Sequence, residues 1–335
     1  MPPYSPLAGR IGRVAACGYA VHPGAGTSEG NIVKKTYRAT CMALLCFGLL
    51  PACSSVVGNK AVSPPSAGGE TSSGGPDKRV DKPPAVPPSS NPPVSYAPSW
   101  PDRTARTSSG HLVNTCVPPG LRRQVTTLTT SDKVHLSALA LGDGENGVLL
   151  DHEQGYNICS FIDIGKELVS KGYRVMIPEY RNHGASEKTS ENEHIERDAA
   201  AALAELRRLG AKRVLLGGAS CGGTTAAVAG VAADRLPVVG LLMMSSPARC
   251  GKVDAVRAVK KIDAPSLFIV SPGDMLGAVE KQVRETYAAS PAREKKLIID
   301  RSGYHGTDMI HNAADGAKLR DTVVDFIDSA FRNAR

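Results

Sequence analysis

The sequence predicts an α/β domain over residues 121–335, built on a mainly parallel sheet with helices on both faces. Three observations lead to this prediction. Short apolar segments alternate with amphipathic helical segments, as βαβ units require. One apolar segment, 214–219, runs through a glycine-rich turn directly into a small-residue helix. Residues suited to acid–base chemistry follow other apolar segments, at positions where the carboxyl ends of parallel strands meet.

The predicted elements follow in chain order. The first two strands, 125–128 and 134–141, are joined by a turn and give the sheet an antiparallel start. Further strands are expected at 148–150, 174–177, 214–219, 238–244, 267–270 and 297–299. Helices are expected at 160–171, 195–209, 252–261, 277–289 and 314–332. The chain between Met244 and Ile262 is too short for a large lid domain.

Residues 1–120 differ in composition and are predicted to lie outside this domain. Residues 33–52 combine a basic start, an apolar run and the ending Leu50-Pro51-Ala52-Cys53, as a secretory signal does. This ending resembles the lipobox of bacterial lipoproteins, which implies lipidation of Cys53 and a membrane anchor outside the cytoplasm. Plain secretion and a buried apolar segment are the alternatives. Residues 1–32 are interpreted as an extension before a start near Val33, and residues 53–120, rich in Pro, Ser and Gly, as a disordered tether.

Charge and motif content exclude several classes of partner. Half of the formal charge of +8 lies in residues 1–52, and the remaining basic residues alternate with acidic ones. That pattern is typical of solvated faces and not of a nucleic-acid site. The sequence contains neither a glycine-rich phosphate loop nor the cysteine and histidine spacing of a zinc site. We therefore expect no nucleic acid, metal or cofactor, and the sequence leaves the oligomeric state open.

Four cysteines fall beyond the lipobox: Cys116, Cys159, Cys221 and Cys250. In an exported domain they can form two disulfides, with three pairings open. The pairing of Cys116 with Cys159 is favoured. It leaves Cys221 and Cys250, both near the glycine-rich turn, as a second pair or as buried thiols.

The turn itself, Gly218-Ala219-Ser220-Cys221-Gly222, fits the Gly-x-Ser-x-Gly pattern of a nucleophile elbow. Glycines at 218 and 222 permit the sharp bend and close packing that let Ser220 project at the sheet edge. The N-terminus of the following helix can then hold an oxyanion. The alternative is a helix-capping serine. Cys221 is expected to pack behind the turn and not to act as the nucleophile.

Candidate partners for Ser220 follow later strands. Asp274 comes after strand 267–270 and His305 after strand 297–299. Asp263 is a weaker candidate because it lies at the amino end of its strand, and Asp300 because it lies only five positions before the histidine. The rival histidines are His152, His183, His194 and His311; the first two are expected to hydrogen-bond loops near the site, and His311 falls in a predicted helix.

With these motifs in place, the chain from about residue 121 resembles bacterial α/β-hydrolases of the compact esterase or dienelactone-hydrolase-like kind. The elbow, the chain order Ser-Asp-His and the segment Glu179–Ser186 carry the resemblance. That segment is similar to the family's Asp-x-Arg-Gly-His-Gly-x-Ser, with Glu179 and Asn182 as departures. The resemblance implies the α/β-hydrolase fold with little or no lid domain. It also implies a triad in which Ser220 attacks a carbonyl carbon, His305 takes its proton and Asp274 orients the imidazole.

The oxyanion hole is expected to combine the N–H of Cys221 with one from the loop after Leu150, by resemblance that of Gln154 and, second to it, Glu153. Asp151–Gln154 stands where the family usually has His-Gly-x, so Glu153 replaces a glycine. An acidic side chain there would disfavour an anionic substrate or the oxyanion unless it points to solvent.

These expectations converge on a lipid-anchored, extracytoplasmic serine hydrolase of the bacterial cell envelope that cleaves a small carboxylic ester through an acyl-enzyme. A peptidase or an acyltransferase could use the same triad. A surface-binding lipoprotein without catalytic activity, built on a hydrolase scaffold, is the third alternative.

Overall fold

The computed structural model describes residues 102–190, 194–233 and 236–334. The predicted extension 1–32, the signal 33–52 with the lipidation site Cys53, and the tether as far as residue 101 lie outside the described residues. The fold below is that of the described part alone.

The strands of the described part run in chain order from β1 to β12. Their bounds are β1 Thr104–Arg106, β2 Leu112–Asn114, β3 Val125–Thr129, β4 His135–Leu141, β5 Asn146–Asp151, β6 Arg174–Pro178, β7 Arg213–Ala219, β8 Val238–Met244, β9 Arg249–Cys250, β10 Val253–Asp254, β11 Ser266–Val270 and β12 Lys295–Ile299. The predicted strands all form, with each end within two residues of its expected position.

Eight of these strands form one sheet in the order β12-β11-β8-β7-β5-β6-β4-β3. The six strands β12, β11, β8, β7, β5 and β6 run parallel to one another, whereas β4 runs antiparallel to both β3 and β6. The order reverses at β5, because β6 lies on one side of it and β7 on the other. In open parallel sheets a crevice forms at the carboxyl ends of the strands beside such a reversal, and that is where the site is found.

Helices cover both faces of the sheet, as predicted. Their bounds are α1 Ile162–Ser170, α2 Ile195–Arg208, α3 Cys221–Val231, α4 Ala255–Val259, α5 Ala278–Ala289, α6 Asp308–His311 and α7 Gly316–Asn333. Apolar side chains of α1 and α7 pack on one face of the sheet, and those of α2, α3, α4 and α5 pack on the other. Neighbouring strand residues such as Val148 and Leu149 belong to opposite faces, as the alternation of a strand requires.

The predicted domain start at residue 121 is too late. Strands β1 and β2 pair as an antiparallel hairpin, and Val113 and Val117 are completely buried in the core. The Cys116–Cys159 disulfide joins this segment to the chain before α1. Residues 102–120 therefore belong to the domain and not to a tether, because Val113 and Val117 anchor them in the core although their overall composition is polar.

A second difference concerns the predicted helix at 252–261. Its first residues form β10, which pairs with β9 in a small hairpin, and only α4 is helical. Asp254 ends the hairpin and caps α4 by accepting a hydrogen bond from the Arg257 N–H at 2.9 Å. The chain between β8 and β11 thus holds a two-stranded hairpin and one short helix, in agreement with the absence of a large lid.

Candidate active site

Ser220 lies between the end of β7 and the start of α3, with φ 50° and ψ −128°. A positive φ is strained in a residue with a Cβ atom, at a cost of about 1–3 kcal/mol, and such strain persists only where the surroundings impose it. One restraint is the hydrogen bond from the Ser220 N–H to the Met244 carbonyl at the end of the neighbouring strand, at 2.8 Å. The bend turns a partly exposed serine side chain out at the carboxyl edge of the sheet.

The two glycines of the elbow provide room for a close backbone contact. A Cβ atom on Gly222 would lie only 2.1 Å from the Asp151 carbonyl oxygen. One on Gly218 would lie 2.5 Å from the Gly222 carbonyl carbon. The first turn of α3 therefore packs directly against the backbone at the end of β5, which is possible only without side chains at these positions.

His305 and Asp274 lie together at the carboxyl ends of β12 and β11. The His305 Nδ1–H donates to the Asp274 carboxylate, with distances of 2.8 and 3.0 Å to its two oxygens. Asp274 is completely buried, and His305 is 8% exposed. Since a carboxylate only accepts, this bond assigns the proton to Nδ1 and leaves Nε2 as the basic nitrogen. Burial lowers the pKa of His305, but the hydrogen bond and charge of Asp274 outweigh it and raise that pKa above 6.5.

The rival residues have other contacts. Asp300 accepts a hydrogen bond from the Ser302 N–H at 3.0 Å and one from the Ser271 hydroxyl at 3.2 Å, so it stabilises the turn after β12. Asp263 precedes β11 at the opposite edge of the sheet. His194 lies beside Glu196 at the start of α2, with 3.0 Å between Nδ1 and Oε1.

The other three rival histidines form hydrogen bonds with backbone groups. His311 Nε2 donates to the Ser160 carbonyl at 2.8 Å. The predicted loop contacts of the remaining two are confirmed: His152 accepts from the Tyr180 N–H at 3.1 Å, and His183 accepts from the Gly155 N–H at 3.1 Å. Burial and the neighbouring His183 lower the pKa of His152 to about 3, so it stays neutral.

The loop after β5 lies against the elbow. The Gln154 side-chain oxygen is 3.7 Å from the Cys221 sulfur, so the two residues predicted to supply the oxyanion-hole N–H groups are in contact. The Cys221 N–H is the first of α3, and the first N–H groups of a helix have no partner within it. The geometry is therefore compatible with an oxyanion hole between Gln154 and Cys221.

Glu153 does not point to solvent. It is 1% exposed, and its side chain is directed to the histidine loop, where Oε1 accepts a hydrogen bond from the Thr307 N–H. Gly306 leaves room for the Glu153 side chain, because a Cβ atom on Gly306 would lie 2.3 Å from the same oxygen. Burial raises the pKa of Glu153, while the Thr307 hydrogen bonds oppose it. The side chain thus connects the loop after β5 to the loop that carries His305.

Sequence reasoning missed a buried ionic network that supports the site. The guanidinium of Arg181 donates to Asp198 in α2 at 2.7 Å and to Asp132 at 2.8 Å. Arg181 and Asp198 side chains are both completely buried. Asp198 lies on the same helix face as the buried Ala199 and Ala202, and a charged residue on an apolar face was the available signal.

Glu179, one of the departures from the family segment, also has buried partners. Its carboxylate accepts from the Ala185 N–H at 2.6 Å and from the Asn114 side-chain amide at 3.1 Å. Burial raises the pKa of Glu179 to about 7 against these hydrogen bonds. The extra methylene relative to aspartate lets one side chain join the β2 strand to the loop after β6.

Strained backbone is concentrated at the same edge. Among the described residues, six non-glycine residues have positive φ, and five of them follow parallel strands of the sheet: Asn182, Ser220, Ser245, Met275 and Leu276; the sixth, Lys133, lies in the turn between β3 and β4. Beside the elbow there is also a cavity of about 470 Å³, lined in part by Gln154, Asn182, His183, Cys221, Cys250 and Gly251. The edge of the sheet thus combines a strained serine, a buried His–Asp pair and a cavity.

Within the described ranges, no group of three or more His, Cys, Asp or Glu side chains is arranged to hold a metal ion. None of the helices described here has the length and apolar character needed to cross a bilayer.

Comparison with known proteins agrees with this architecture. A family model for the alpha/beta hydrolase fold matches residues 148–253. No curated protein sequence matches the chain.

Similar solved structures include DcsB in complex with a substrate analogue, at 15% identity over 62% of this chain and 99% of that one, with a TM-score of 0.53. An esterase of Pyrococcus furiosus is 18% identical over 61% of this chain and 91% of its own, with a TM-score of 0.51. A putative aryl esterase from Burkholderia cenocepacia is 15% identical over 62% of this chain and 100% of its own, again with a TM-score of 0.51. At such identities the similarity is one of fold. Together with the family match over residues 148–253, it shows that the described domain has the α/β-hydrolase fold.

Proposed function

We propose that the protein is a serine hydrolase that cleaves small carboxylic esters. The observation that carries the proposal is the buried His305–Asp274 hydrogen bond of 2.8 Å at the same sheet edge as the strained Ser220. A histidine oriented through Nδ1 by a buried carboxylate presents a basic Nε2, which is what a serine nucleophile requires. The esterases among the similar folds are consistent with this chemistry.

In the proposed mechanism the Ser220 hydroxyl attacks the ester carbonyl carbon while His305 Nε2 takes its proton. The negative charge of the tetrahedral intermediate is stabilised by the N–H groups of Cys221 and Gln154. His305 then protonates the leaving alcohol, and an acyl group remains on Ser220. Water, deprotonated by the same histidine, releases the acid. Asp274 stabilises the imidazolium during both steps.

The size of the substrate is inferred from the covering of the site. Between β8 and β11 the regular structure is a hairpin of two two-residue strands and the five-residue helix α4. No large lid is built from this segment, which favours soluble esters with short acyl groups over interfacial lipid substrates.

The test is labelling with a fluorophosphonate, which phosphonylates an activated serine. The wild-type protein is expected to be labelled and to hydrolyse p-nitrophenyl acetate and butyrate; Ser220→Ala is expected to do neither. Labelling that persists in Ser220→Ala would assign the nucleophile elsewhere. A folded wild-type protein that is neither labelled nor active would favour a binding protein on a hydrolase scaffold. Turnover confined to amides, or to added alcohol acceptors, would favour the peptidase or acyltransferase alternatives.

We also propose that the enzyme is an extracytoplasmic lipoprotein anchored through Cys53. The signal-like segment supports this, and the two disulfides of the described domain are typical of an oxidising compartment. In a bacterial host, an alkyne fatty acid is expected to label the wild-type chain and not Cys53→Ser. Equal labelling of both would refute the anchor, and equal secretion without labelling would favour a simple signal peptide.

A further inference from the structure

A disulfide joins the proposed oxyanion hole to the β9–β10 hairpin. Cys221, the residue after Ser220 and the first of α3, is bonded to Cys250, the last residue of β9, with their Cα atoms 5.5 Å apart. The bond therefore fixes the side chain of the same residue whose N–H is proposed to bind the oxyanion.

The disulfide also contacts the other proposed donor. The Cys221 sulfur lies 3.7 Å from the Gln154 side-chain oxygen. Gln154 itself is exposed and occupies a turn, so its neighbours, and not burial, restrain its position. The Cys221 sulfur thus belongs to one of the two proposed donor residues and contacts the side chain of the other. The backbone N–H groups of these two residues must converge on a single oxygen.

The hairpin that carries Cys250 is peripheral to the main sheet. β9 and β10 pair only with each other, and their turn residue Gly251 is exposed. The two ends of the hairpin are held, because the Pro247 carbonyl accepts from Thr224 at 2.6 Å and the Ala248 carbonyl accepts from the Ala255 N–H at 2.8 Å. At the tip, Cys250 provides the covalent link to α3.

The same tip forms one wall of the cavity beside the elbow. Cys221, Cys250 and Gly251 line this space of about 470 Å³ together with Gln154 and His183. Breaking the disulfide would remove the covalent restraint from Cys250 in the cavity wall and from Cys221 in the proposed oxyanion hole.

We propose that Cys250 is a positioning residue: through its disulfide to Cys221 it holds the oxyanion hole and the cavity wall in place, so that the enzyme is fully active only in the oxidised form. The proposal rests on the proposed function, since it takes Ser220 as the nucleophile. Its effect is expected in kcat, because the hole is used only when charge develops on the carbonyl oxygen.

The test compares two full-length double variants. Cys221→Ala/Cys250→Ala removes this disulfide, and Cys116→Ala/Cys159→Ala removes the other one as a matched control. The disulfides span 29 and 43 residues, so the control is expected to lose at least as much thermal stability. Below the unfolding temperature of both, kcat for p-nitrophenyl butyrate is expected to fall by about tenfold or more in the first variant and to stay within twofold in the control.

A second readout separates positioning from stability. An alkyl boronic acid forms a tetrahedral adduct with the serine and places an oxygen in the hole, so its inhibition constant should rise in parallel with the loss of kcat. Equal kcat values and equal inhibition constants in the two variants would overturn the proposal and leave the disulfide a stabilising link only. If wild type is folded but inactive and unlabelled by fluorophosphonate, the proposed function fails, and this inference fails with it.

Reduction provides the same test if the first variant does not fold. In Cys116→Ala/Cys159→Ala the domain retains one disulfide, that between Cys221 and Cys250. Dithiothreitol supplies two electrons and two protons, closes to its cyclic disulfide and leaves two cysteine thiols. Activity is expected to fall and to return with oxidised glutathione, which takes up the two electrons and two protons and leaves as two thiols. Unchanged activity with two more titratable thiols than before reduction, and an unchanged circular dichroism spectrum, would refute the role of Cys250.

Discussion

The close contact of Gly222 with the end of β5 allows a quantitative prediction for Gly222→Ala. The added Cβ would lie 2.1 Å from the Asp151 carbonyl oxygen and 2.5 Å from that of His152, whereas ordinary contacts begin at 3.4 Å. Both contacts are backbone atoms, which cannot rotate away. The first turn of α3 and the loop after β5 must therefore separate by about 1.3 Å, the difference between the contact formed and the contact allowed.

This separation moves apart the two proposed oxyanion donors, because Cys221 precedes Gly222 and Gln154 follows His152 by two residues. A displacement of about 1 Å can cost roughly 100-fold in rate, and loss of one oxyanion donor costs about 100- to 1,000-fold. We expect kcat to fall by about 100-fold. The strain should also lower the free energy of unfolding by about 1–3 kcal/mol, or Tm by roughly 2–12 °C.

Gly230→Ala is the matched control. Gly230 lies near the other end of α3, and its added Cβ would meet the Leu216 Cδ1 at 2.8 Å and the Ile262 Cδ1 at 3.1 Å. These are ends of side chains that can rotate, so kcat should remain within twofold of wild type. The assay is steady-state hydrolysis of p-nitrophenyl butyrate at 25 °C, with Tm measured by circular dichroism. The reasoning is refuted if folded Gly222→Ala retains kcat within threefold, or if both variants lose activity equally.

Three further predictions concern charged groups. The pKa of His305 is raised above 6.5, and only the neutral imidazole is a base. The value of kcat/KM should therefore fall with decreasing pH, with the midpoint of the decline above pH 6.5. A midpoint at pH 5 would exclude His305 as the base. The charge of Glu153 contributes to raising that pKa, so Glu153→Gln should move the midpoint to lower pH, and an unmoved midpoint would contradict a charged Glu153. Asp198→Ala leaves the buried Arg181 with one partner fewer and should cost about 3–5 kcal/mol in urea unfolding. Glu205→Ala, which breaks a pair with the exposed Arg208 on the same helix, should cost under about 1 kcal/mol; equal losses would refute the role of burial.

The sequence predicted those features that depend on local pattern. Apolar runs such as 238–244 are strands because both faces of this sheet are covered by helices, so every side chain in the run is driven inward. The Gly218 and Gly222 spacing predicted the close approach at the elbow. In a parallel sheet the ends of strands meet, so Asp274 and His305, which are 31 positions apart, could be paired before any coordinates were known.

Features that depend on contacts distant in sequence could not be predicted. The direction of Glu153 depends on the space left by Gly306 and on the Thr307 N–H, 154 residues away. The segment 102–120 has the composition of a linker, and it is ordered through contacts such as that of Asn114 with Glu179. No local pattern distinguishes the two residues of β10 from the start of a helix. A hairpin that short is determined by its tertiary contacts.

The concentration of positive φ angles at one edge has a consequence for how this protein can be stabilised. Backbone preference alone would single out Asn182, Ser220, Ser245, Met275 and Leu276 as the positions where glycine relieves most strain. Yet these positions shape the loops around the elbow and the turn after the buried aspartate. Thermostability gained there would relax the geometry on which turnover depends. Engineering for robustness should therefore begin on the opposite, amino edge of the sheet, where conformational relief and catalytic rate are not in competition.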